Sequence, residues 1–384
     1  METGSDWLAP LRAAYSAPWT VAESWRARHG AVVGVFGRLV PRELFAAAGL
    51  LSVRLSPRRL SARGELTGDA LPPGLAAELA PGPARVLAAL LAGELDWIDF
   101  LVIGRDSESY TKLFYVLREL VNSRDHPTIP PIAFCDVLRT PARTSARYNR
   151  IRARELLETA ASWGGDPVSE ESLREAARDA ALTAAEMRRL NELRTALIPT
   201  ISGHDMLIAA GASQVLPAAE MRSAVAFAPG TAPAAKTLRH PGRRVYLTGS
   251  GQDDPWTYEV LEARGLSIVG EDHEWGEDGL DHPEPTDDPL DGIVDARHLS
   301  LAGAARAGLA ERTRHTASRA RACAADSVLQ IVFDDDEASG WEAPHLRELL
   351  GDEIPLVTIE LEHGRRDEET LAAAVTTLLG GNDV

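Results

Sequence analysis

Short apolar segments alternate with longer amphipathic stretches along most of the chain, and this alternation restricts the fold more than any other feature. Nine such segments, many rich in β-branched residues, form a first set of four and a second set of five. Each has the length of a buried strand, and the stretches between them are long enough for helical crossovers. The pattern predicts an α/β protein of two lobes, each built on an open parallel sheet of Rossmann-like or flavodoxin-like type. The predicted strands are AVVGVFG, LSVRLS, WIDFLVIG and PIAFCDV in the first set, and RRVYLTG, LSIVGED, LDGIVDA, VLQIVFD and PLVTIEL in the second.

A segment with helical periodicity separates the two sets of strands. It runs from Thr144 to about Arg194, and Ser169 ahead of two glutamates predicts a helix N-cap within it. A Pro- and Gly-rich stretch at 229–242 then breaks periodic structure before the second set begins. The 384 residues suffice for two or three domains. We predict an N-terminal α/β lobe (1–143), a helical connector (144–240) and a C-terminal α/β lobe (241–384).

Composition argues against several classes of partner and site. A formal net charge of -17 and an isoelectric point near 5.1 disfavour binding of the whole surface to nucleic acid or to anionic membranes. No run of ~18 apolar residues is present and the first residues lack the basic and apolar regions of a signal peptide, so we expect a cytoplasmic protein. The two cysteines, Cys135 and Cys323, are too few for a disulfide framework, a four-thiolate zinc site or a three-cysteine iron-sulfur site.

In open parallel sheets, ligands bind outside the carboxyl ends of the strands, so the segments that follow the predicted strands are candidate site residues. Taken alone, none is specific: TGSGQDDP lacks phosphate-loop spacing, Ser107 suits an ordinary helix start, and His273 suits either a general base or a surface group. The aspartates at 334–336 suit a solvated charge cluster better than a cation site, since consecutive residues do not all face one ion. The segments are Gly37–Leu39, Gly104–Ser107, Thr248–Gly251, Glu271–Trp275 and Phe333–Glu337.

The stretch VVGVFGRLVPRELFAAAGLLSVRL orders its small and acidic residues in a way that a generic helix does not require. Together with the later segments it resembles the 2-hydroxyacyl-CoA dehydratase and benzoyl-CoA reductase subunit family, of the 2-hydroxyglutaryl-CoA dehydratase D-component type. The likeness extends with gaps from about Val32 to Gly364. It implies an acyl-CoA thioester as ligand, lyase or reductase chemistry, and assembly as a heterodimer of related subunits. The matching residues are Gly34, Pro41, Glu43, Leu44, Ala47, Ala48, Gly49 and Leu50.

The resemblance also implies a 4Fe-4S cluster held by three cysteines in each catalytic subunit, and this chain departs from that pattern at all three places. The first region, 56–81, has no cysteine, the second has Arg105, and the third has the aspartates at 334–336. A guanidinium has no lone pair to donate, and carboxylates do not replace soft thiolates. We therefore predict that this chain binds no cluster and no other metal, and that Cys135 and Cys323 serve as small buried hydrophobes.

An arginine at a strand end needs another role once no cluster is present. It suits a bound carboxylate or phosphate, or an acidic side chain that fills the former cluster pocket, and the aspartates at 334–336 are the predicted partners from the other lobe. Glu43 suits either the stabilisation of a helix N-terminus or a contact with substrate. The glycines beside Ser250, read as a helix start, suit either a turn or the approach of backbone N–H groups to a thioester oxygen or CoA phosphate. The candidate catalytic residues are Glu43, Arg105, Asp106, Ser107 and His273, and those for contact with a CoA thioester are Arg38, Gly249, Ser250 and Gly251.

Three functions are compatible with these features. In the first, the chain is a cluster-free dehydratase-like subunit that pairs with a cysteine-bearing homologue, or with itself, and shapes an acyl-CoA site. In the second, it is an enzyme that kept the fold and uses polar residues in the cleft between the lobes. In the third, it is a regulatory or scaffold protein that binds an acyl-CoA or an acidic metabolite without converting it. An adjacent cysteine-bearing homologue and an activating ATPase in the genome would favour the first.

Overall fold

A computed structural model describes residues 7–60, 79–123, 129–164, 167–228, 242–276, 287–299, 308–336 and 338–380. Eight of the nine predicted strands are present, and they form two separate four-stranded sheets that are entirely parallel. The α/β class and the two-sheet architecture are therefore confirmed. The strands are β1 (Val32–Phe36), β2 (Leu51–Arg54), β3 (Phe100–Gly104), β4 (Ile132–Cys135), β5 (Arg243–Gly249), β6 (Leu266–Glu271), β7 (Ser327–Phe333) and β8 (Leu356–Leu361). The helices are α1 (Leu8–Ser16), α2 (Pro18–Arg26), α3 (Glu43–Ala47), α4 (Pro81–Leu91), α5 (Glu108–Ser123), α6 (Arg143–Gly164), α7 (Glu170–Thr195), α8 (Gly203–Ser213), α9 (Ala218–Val225), α10 (Trp256–Ala263), α11 (Pro289–Leu299), α12 (Leu309–Ala322), α13 (Ala343–Leu350) and α14 (Glu368–Gly380).

The two sheets have the same topology. Their strand orders are β2-β1-β3-β4 and β6-β5-β7-β8, so the strand order reverses between the first and third strand of each set. Strands β1, β5 and β7 have apolar side chains on both faces and are buried along most of their length, which is the pattern of a parallel sheet covered on both sides. A crevice opens at the carboxyl end of such a reversal, and each lobe therefore has one crevice between its two central strands.

The segment LDGIVDA at 290–296 was predicted to be a strand, and this prediction is wrong because the segment belongs to α11. Its apolar residues Leu290, Ile293 and Val294 are buried, and their spacing is that of one helix face. α11 packs against α6 and α7, where Arg150 forms ion pairs with Asp291 at 3.1 Å and with Asp295 at 2.7 Å. A short apolar run does not by itself distinguish a strand from one buried helical turn, and here tertiary contacts decided for the helix.

The predicted helical segment between the strand sets is confirmed as α6 and α7. Ser169 is the N-cap of α7: its side chain accepts a hydrogen bond from the Ser172 N–H, and the Ser172 Oγ accepts one from the Ser169 N–H. At the other end of α7, the fully buried Arg194 forms an ion pair with Glu271 of β6 at 2.8 Å. This contact fixes the C-terminal end of α7 to the second sheet. The Pro- and Gly-rich stretch at 229–241 lies outside the described residues.

The largest hydrophobic cluster contains side chains from α1, both sheets, α8, α10 and α14, so the apolar core of the molecule is continuous between the two sheets. Tyr15 of α1 illustrates this continuity because its ring is buried and its hydroxyl donates to the Asp253 carbonyl at 2.6 Å. Among the described residues, no helix combines the length and the apolar composition that a membrane crossing requires.

Candidate functional site

A cleft of about 830 Å³ lies between the two lobes, at the carboxyl ends of the strands. Its walls come from the loops after β1 and β3 on one side and from those after β5 and β7 on the other. Five of the nine predicted site residues line it, although they come from sequence positions more than 100 residues apart; these five are Asp106, Ser107, Gly249, Ser250 and Gly251. The arrangement follows from the topology, since the two reversals of strand order face each other.

Asp106 is the most unusual titratable group on the N-terminal side of the cleft. Its Oδ1 accepts hydrogen bonds from the backbone N–H groups of Arg38 at 2.7 Å and Leu39 at 3.2 Å. Its Oδ2 is buried and has no hydrogen-bond partner among the described residues. A Cβ atom at Gly37, which has φ +129°, or at Gly104 would overlap Oδ2, so two glycines make room for this carboxyl. Burial raises the pKa of Asp106 even though its backbone hydrogen bonds oppose that rise, which makes it a candidate proton donor.

An arginine from the end of β2 joins the lobes in the floor of the cleft. Arg54 donates to the Glu274 carbonyl at 3.0 Å and to its Oε2 at 3.1 Å, and its guanidinium lies 4.0 Å from the centre of the Trp275 ring. Burial raises the pKa of Glu274, and Arg54 counteracts part of that rise. A second pair between the lobes, Arg58 and Asp253 at 3.6 Å, is buried beside it. Both arginines are held at carboxylates of the other lobe, and they fix the width of the cleft.

On the C-terminal side, Ser250 and Asp336 form a tightly hydrogen-bonded wall. Ser250 donates to Asp336 Oδ2 at 2.6 Å, and Ser339 contacts the same carboxylate through its Oγ at 2.6 Å and its N–H at 3.0 Å. Burial opposes ionisation of Asp336, but these hydrogen bonds outweigh it and lower the pKa. Gly249 has φ +102° and lies against the backbone of β7. The prediction that Ser250 starts a helix is wrong, since α10 begins at Trp256 and the intervening residues form a loop.

Asp335 and His363 form a carboxylate–imidazole pair that the sequence analysis missed. They follow β7 and β8, which are neighbouring strands, so their loops lie side by side. His363 Nδ1 lies 3.0 Å from Asp335, and the His363 backbone N–H donates to Asp334 at 2.8 Å. His363 Nε2 is buried and has no hydrogen-bond partner among the described residues. Asp335 and Asp336 are thus half-buried and bound to neighbouring groups, so the prediction of a solvated cluster is wrong for these two, whereas Asp334 is exposed as predicted.

Arg105 does not contact the aspartates at 334–336, and that predicted partnership is wrong. Its Nη1 donates to Asp136 Oδ1 at 2.8 Å, and the hydrogen bond to Asp136 raises the pKa of the arginine. The cause is the register of the first sheet: Gly104 of β3 is paired with Cys135 of β4, so the next residue of each strand also meets the other. The Arg105 side chain is 47% exposed and lies outside the cleft lining. Its pairing is local to the N-terminal lobe.

The remaining predicted residues lie elsewhere. Arg38 and Glu43 are buried and line a second cavity next to the cleft. His273 does not line the cleft, and the alternative that it is a surface group is wrong because its side chain is 0% exposed. Its Nε2 lies 2.7 Å from the Tyr258 hydroxyl and its Nδ1 accepts from the Trp275 N–H at 3.2 Å. Both ring nitrogens are therefore used inside the core.

The described residues do not fit a 4Fe-4S cluster. Cys135 is buried in β4 and Cys323 is buried at the end of α12, so neither thiol is presented to the cleft. No group of three or more potential metal-ligating His, Cys, Asp or Glu side chains is found in the described part of the chain. At the two described positions where the family resemblance implies cysteines, Arg105 contacts Asp136 and the aspartates at 334–336 are hydrogen-bonded to protein groups. The remaining region where a cysteine is implied, 56–81, lies partly outside the described residues, and its sequence contains no cysteine.

The model of the family described as 2-hydroxyglutaryl-CoA dehydratase, D-component, matches residues 39–379. No curated protein matched the chain. The family match includes both sheets except β1, and it includes the residues that line the cleft except Phe36 and Gly37. Because the match covers most of the chain, the protein belongs to this family.

Proposed function

We propose that this member of the 2-hydroxyglutaryl-CoA dehydratase D-component family is a cluster-free subunit that binds an acyl-CoA thioester in the cleft between its lobes. The observation that carries the proposal is that this family member has a cleft of about 830 Å³ between its lobes, while no cysteine is among the described residues that line it. A cytoplasmic partner with the three family cysteines would carry out electron transfer. This chain would hold and orient the thioester.

The charges of the cleft support one orientation of the ligand. The interior arginines Arg54, Arg58 and Arg312 are each paired with a carboxylate. Asp336, whose pKa is lowered, is ionised there and would repel the phosphates of CoA. Lys112 and Arg139 are exposed residues of the lining, so the phosphates are best placed near them at the mouth. The thioester end would then point inward, toward the buried carboxyl groups.

Calorimetric titration with CoA and acetyl-CoA tests the binding. We expect Lys112→Ala and Arg139→Ala each to weaken affinity by about two- to fivefold, and more at low salt than at high salt, as exposed charge pairs do. Arg118→Ala is the matched control, because Arg118 is also exposed on α5 but does not line the cleft. Equal effects of all three changes, or no CoA binding by the wild type, would refute the proposed site.

Purification from the native host tests the partnership. A tagged chain should carry with it a homologous polypeptide that contains three family cysteines, and iron and sulfide should be found with that polypeptide alone. Stoichiometric iron and acid-labile sulfide in the isolated chain would contradict the cluster-free assignment. A homodimer that binds acyl-CoA would support pairing of the chain with itself.

A second candidate, an enzyme that works by acid–base chemistry without a cluster, is favoured by two groups in the cleft. Asp106 has a raised pKa and a buried oxygen without a partner, and His363 is oriented by Asp335 through Nδ1. This pairing of a proton donor with an oriented imidazole is a common basis for proton transfer. Exchange of the carbon-2 protons of butyryl-CoA in D2O would reveal it. If exchange occurs and both His363→Gln and Asp106→Asn abolish it, the enzyme is favoured. Tight binding without exchange favours the cluster-free subunit.

A further inference from the structure

A second cavity of about 550 Å³ lies beside the cleft, enclosed by α3, α7, α8, α9 and the end of β2. Part of its wall is apolar, and on α7 three alanines that line it, Ala176, Ala180 and Ala184, stand one helical turn apart. Polar residues of the same helix line the cavity beside them; these are Ser172, Glu175, Asp179 and Thr183. Met187 closes the same face one turn further on. The volume is within the range of small-molecule sites, and the wall combines apolar side chains with polar and charged ones.

The cavity and the cleft share part of their walls. Gly37, Arg54, Glu274 and Trp275 line both, so the two spaces adjoin at a junction formed by the Arg54–Glu274 pair. Glu274 keeps 27% of its side chain exposed although Arg54 is buried at 6%. The carboxylate at the junction can therefore be reached by a ligand.

A polar atom without a partner lies at this junction. Oδ2 of Asp106 lies against Gly37, the residue common to both spaces, and finds no hydrogen-bond partner in the described part of the chain. The Asp106 residue is 9% exposed. A buried polar atom that lacks a partner costs free energy, and a thioester or hydroxyl group that reaches the junction would provide one.

We propose that the second cavity receives the acyl group of the thioester whose CoA part occupies the cleft, with the thioester itself at the junction beside Asp106. This inference rests on the proposed function and adds the class of substrate. The wall of alanines, Met187 and Trp275 is suited to an apolar, unbranched acyl chain. Five carboxylates and three arginines line the same space, and this negative balance makes it unfavourable for a second carboxylate at the end of the chain. The favoured ligands are therefore monocarboxylic acyl-CoA esters of medium length.

The dependence of affinity on chain length tests the inference. Titration of the wild type with CoA, acetyl-CoA, butyryl-CoA, hexanoyl-CoA and octanoyl-CoA should show affinity rising by up to about fourfold per methylene until the cavity is full. Glutaryl-CoA should bind less tightly than hexanoyl-CoA. Affinity that does not depend on chain length would overturn the inference and leave CoA binding in the cleft standing.

Filling the cavity should remove the rise in affinity with acyl chain length and leave the affinity for CoA unchanged. In Ala180→Phe, a half-buried residue of the wall becomes large, so we expect octanoyl-CoA to bind about as tightly as acetyl-CoA, with affinity for CoA unchanged. Ala185→Phe is the control, because Ala185 is exposed on the same helix and does not line the cavity. Retention of the chain-length dependence in Ala180→Phe would refute the assignment of the cavity.

A truncated ligand separates this inference from the proposed function. S-hexanoyl-N-acetylcysteamine carries the thioester and acyl chain but no phosphate, so its binding depends on the cavity and the junction. If this compound binds, Ala180→Phe weakens its binding and CoA does not bind, the cavity assignment is upheld and the CoA site is refuted. No binding of either compound would refute both.

Discussion

Replacement of Glu342 by glutamine should change how the stability of the protein depends on pH. Glu342 ends a 3-10 helix at Ser339–Glu342, its side chain is 5% exposed, and it lies 2.8 Å from Arg312 of α12. Burial raises the pKa of Glu342 to about 7; Arg312 opposes the rise, whereas Asp272 and Asp336 add to it. The folded protein therefore keeps a proton on this carboxyl at pH values where the unfolded chain, near the ordinary value of 4.5, has lost it.

The sign and the size follow from this difference. Between about pH 4.5 and pH 7 the folded state binds more protons than the unfolded state, so the free energy of unfolding falls as the pH rises, and it levels off above about pH 7. One pKa unit corresponds to about 1.4 kcal/mol, so the total loss from this group is on the order of 3 kcal/mol. Glutamine cannot titrate but can still accept a hydrogen bond from Arg312, so the variant should lack this part of the pH dependence.

Urea unfolding at several pH values between about 5 and 8, for the wild type and Glu342→Gln, measures the effect. The free energy of unfolding of the wild type, minus that of the variant, should fall by on the order of 3 kcal/mol across this range. Glu348→Gln, an exposed change on α13, is the control and should leave the pH dependence as it is in the wild type. A difference that stays constant or rises with pH would refute the assignment of the raised pKa to burial of Glu342.

Three further changes test the fold and the site. Gly37→Ala should destabilise the protein by about 1–3 kcal/mol more than Gly30→Ala in thermal unfolding, because the two glycines have φ of +129° and +133° but only the Cβ at Gly37 would overlap Asp106; equal losses would refute the overlap. Arg194→Ala should cost about 3–5 kcal/mol in denaturant unfolding, since it leaves a buried carboxylate without its ion-pair partner, and a cost under about 1 kcal/mol would contradict this. Arg105→Ala should change the free energy of unfolding by less than about 1 kcal/mol, as expected of a half-exposed pair, and a larger loss would show that Arg105 does more than bind Asp136.

The strands could be predicted from sequence because each carries its own apolar pattern. The exception at 290–296 shows the limit of that signal, since Leu290, Ile293 and Val294 fit a short buried strand and a helix face equally well. That the loops after the strands lie at one edge of each sheet was also predictable, because it depends only on the strands being parallel. That the two edges line one cleft depends in addition on how the lobes pack.

The partners of individual side chains could not be predicted, because they depend on which strands are neighbours. Arg105 meets Asp136 since β3 and β4 are paired in register, and His363 meets Asp335 since β8 lies beside β7. A sequence without its strand order leaves both pairs open. Asp106 was predicted as a site residue because it follows a strand. Its raised pKa comes from burial, and the room for its unpartnered Oδ2 comes from two glycines that lie close to it only in the folded chain.

The cleft is open although charged side chains stand at two of the places where the family resemblance implies cysteines. Arg105 turns away to Asp136, and Asp335 and Asp336 are bound by His363 and by serine hydroxyls at the edge, so an open volume of about 830 Å³ remains between the lobes. A protein that only needed to lose a cluster could have closed this space with apolar side chains, which would have been neutral or stabilising compared with buried charges. Buried carboxyl groups around an open cleft are costly for stability, and the proposed binding of a ligand would account for them.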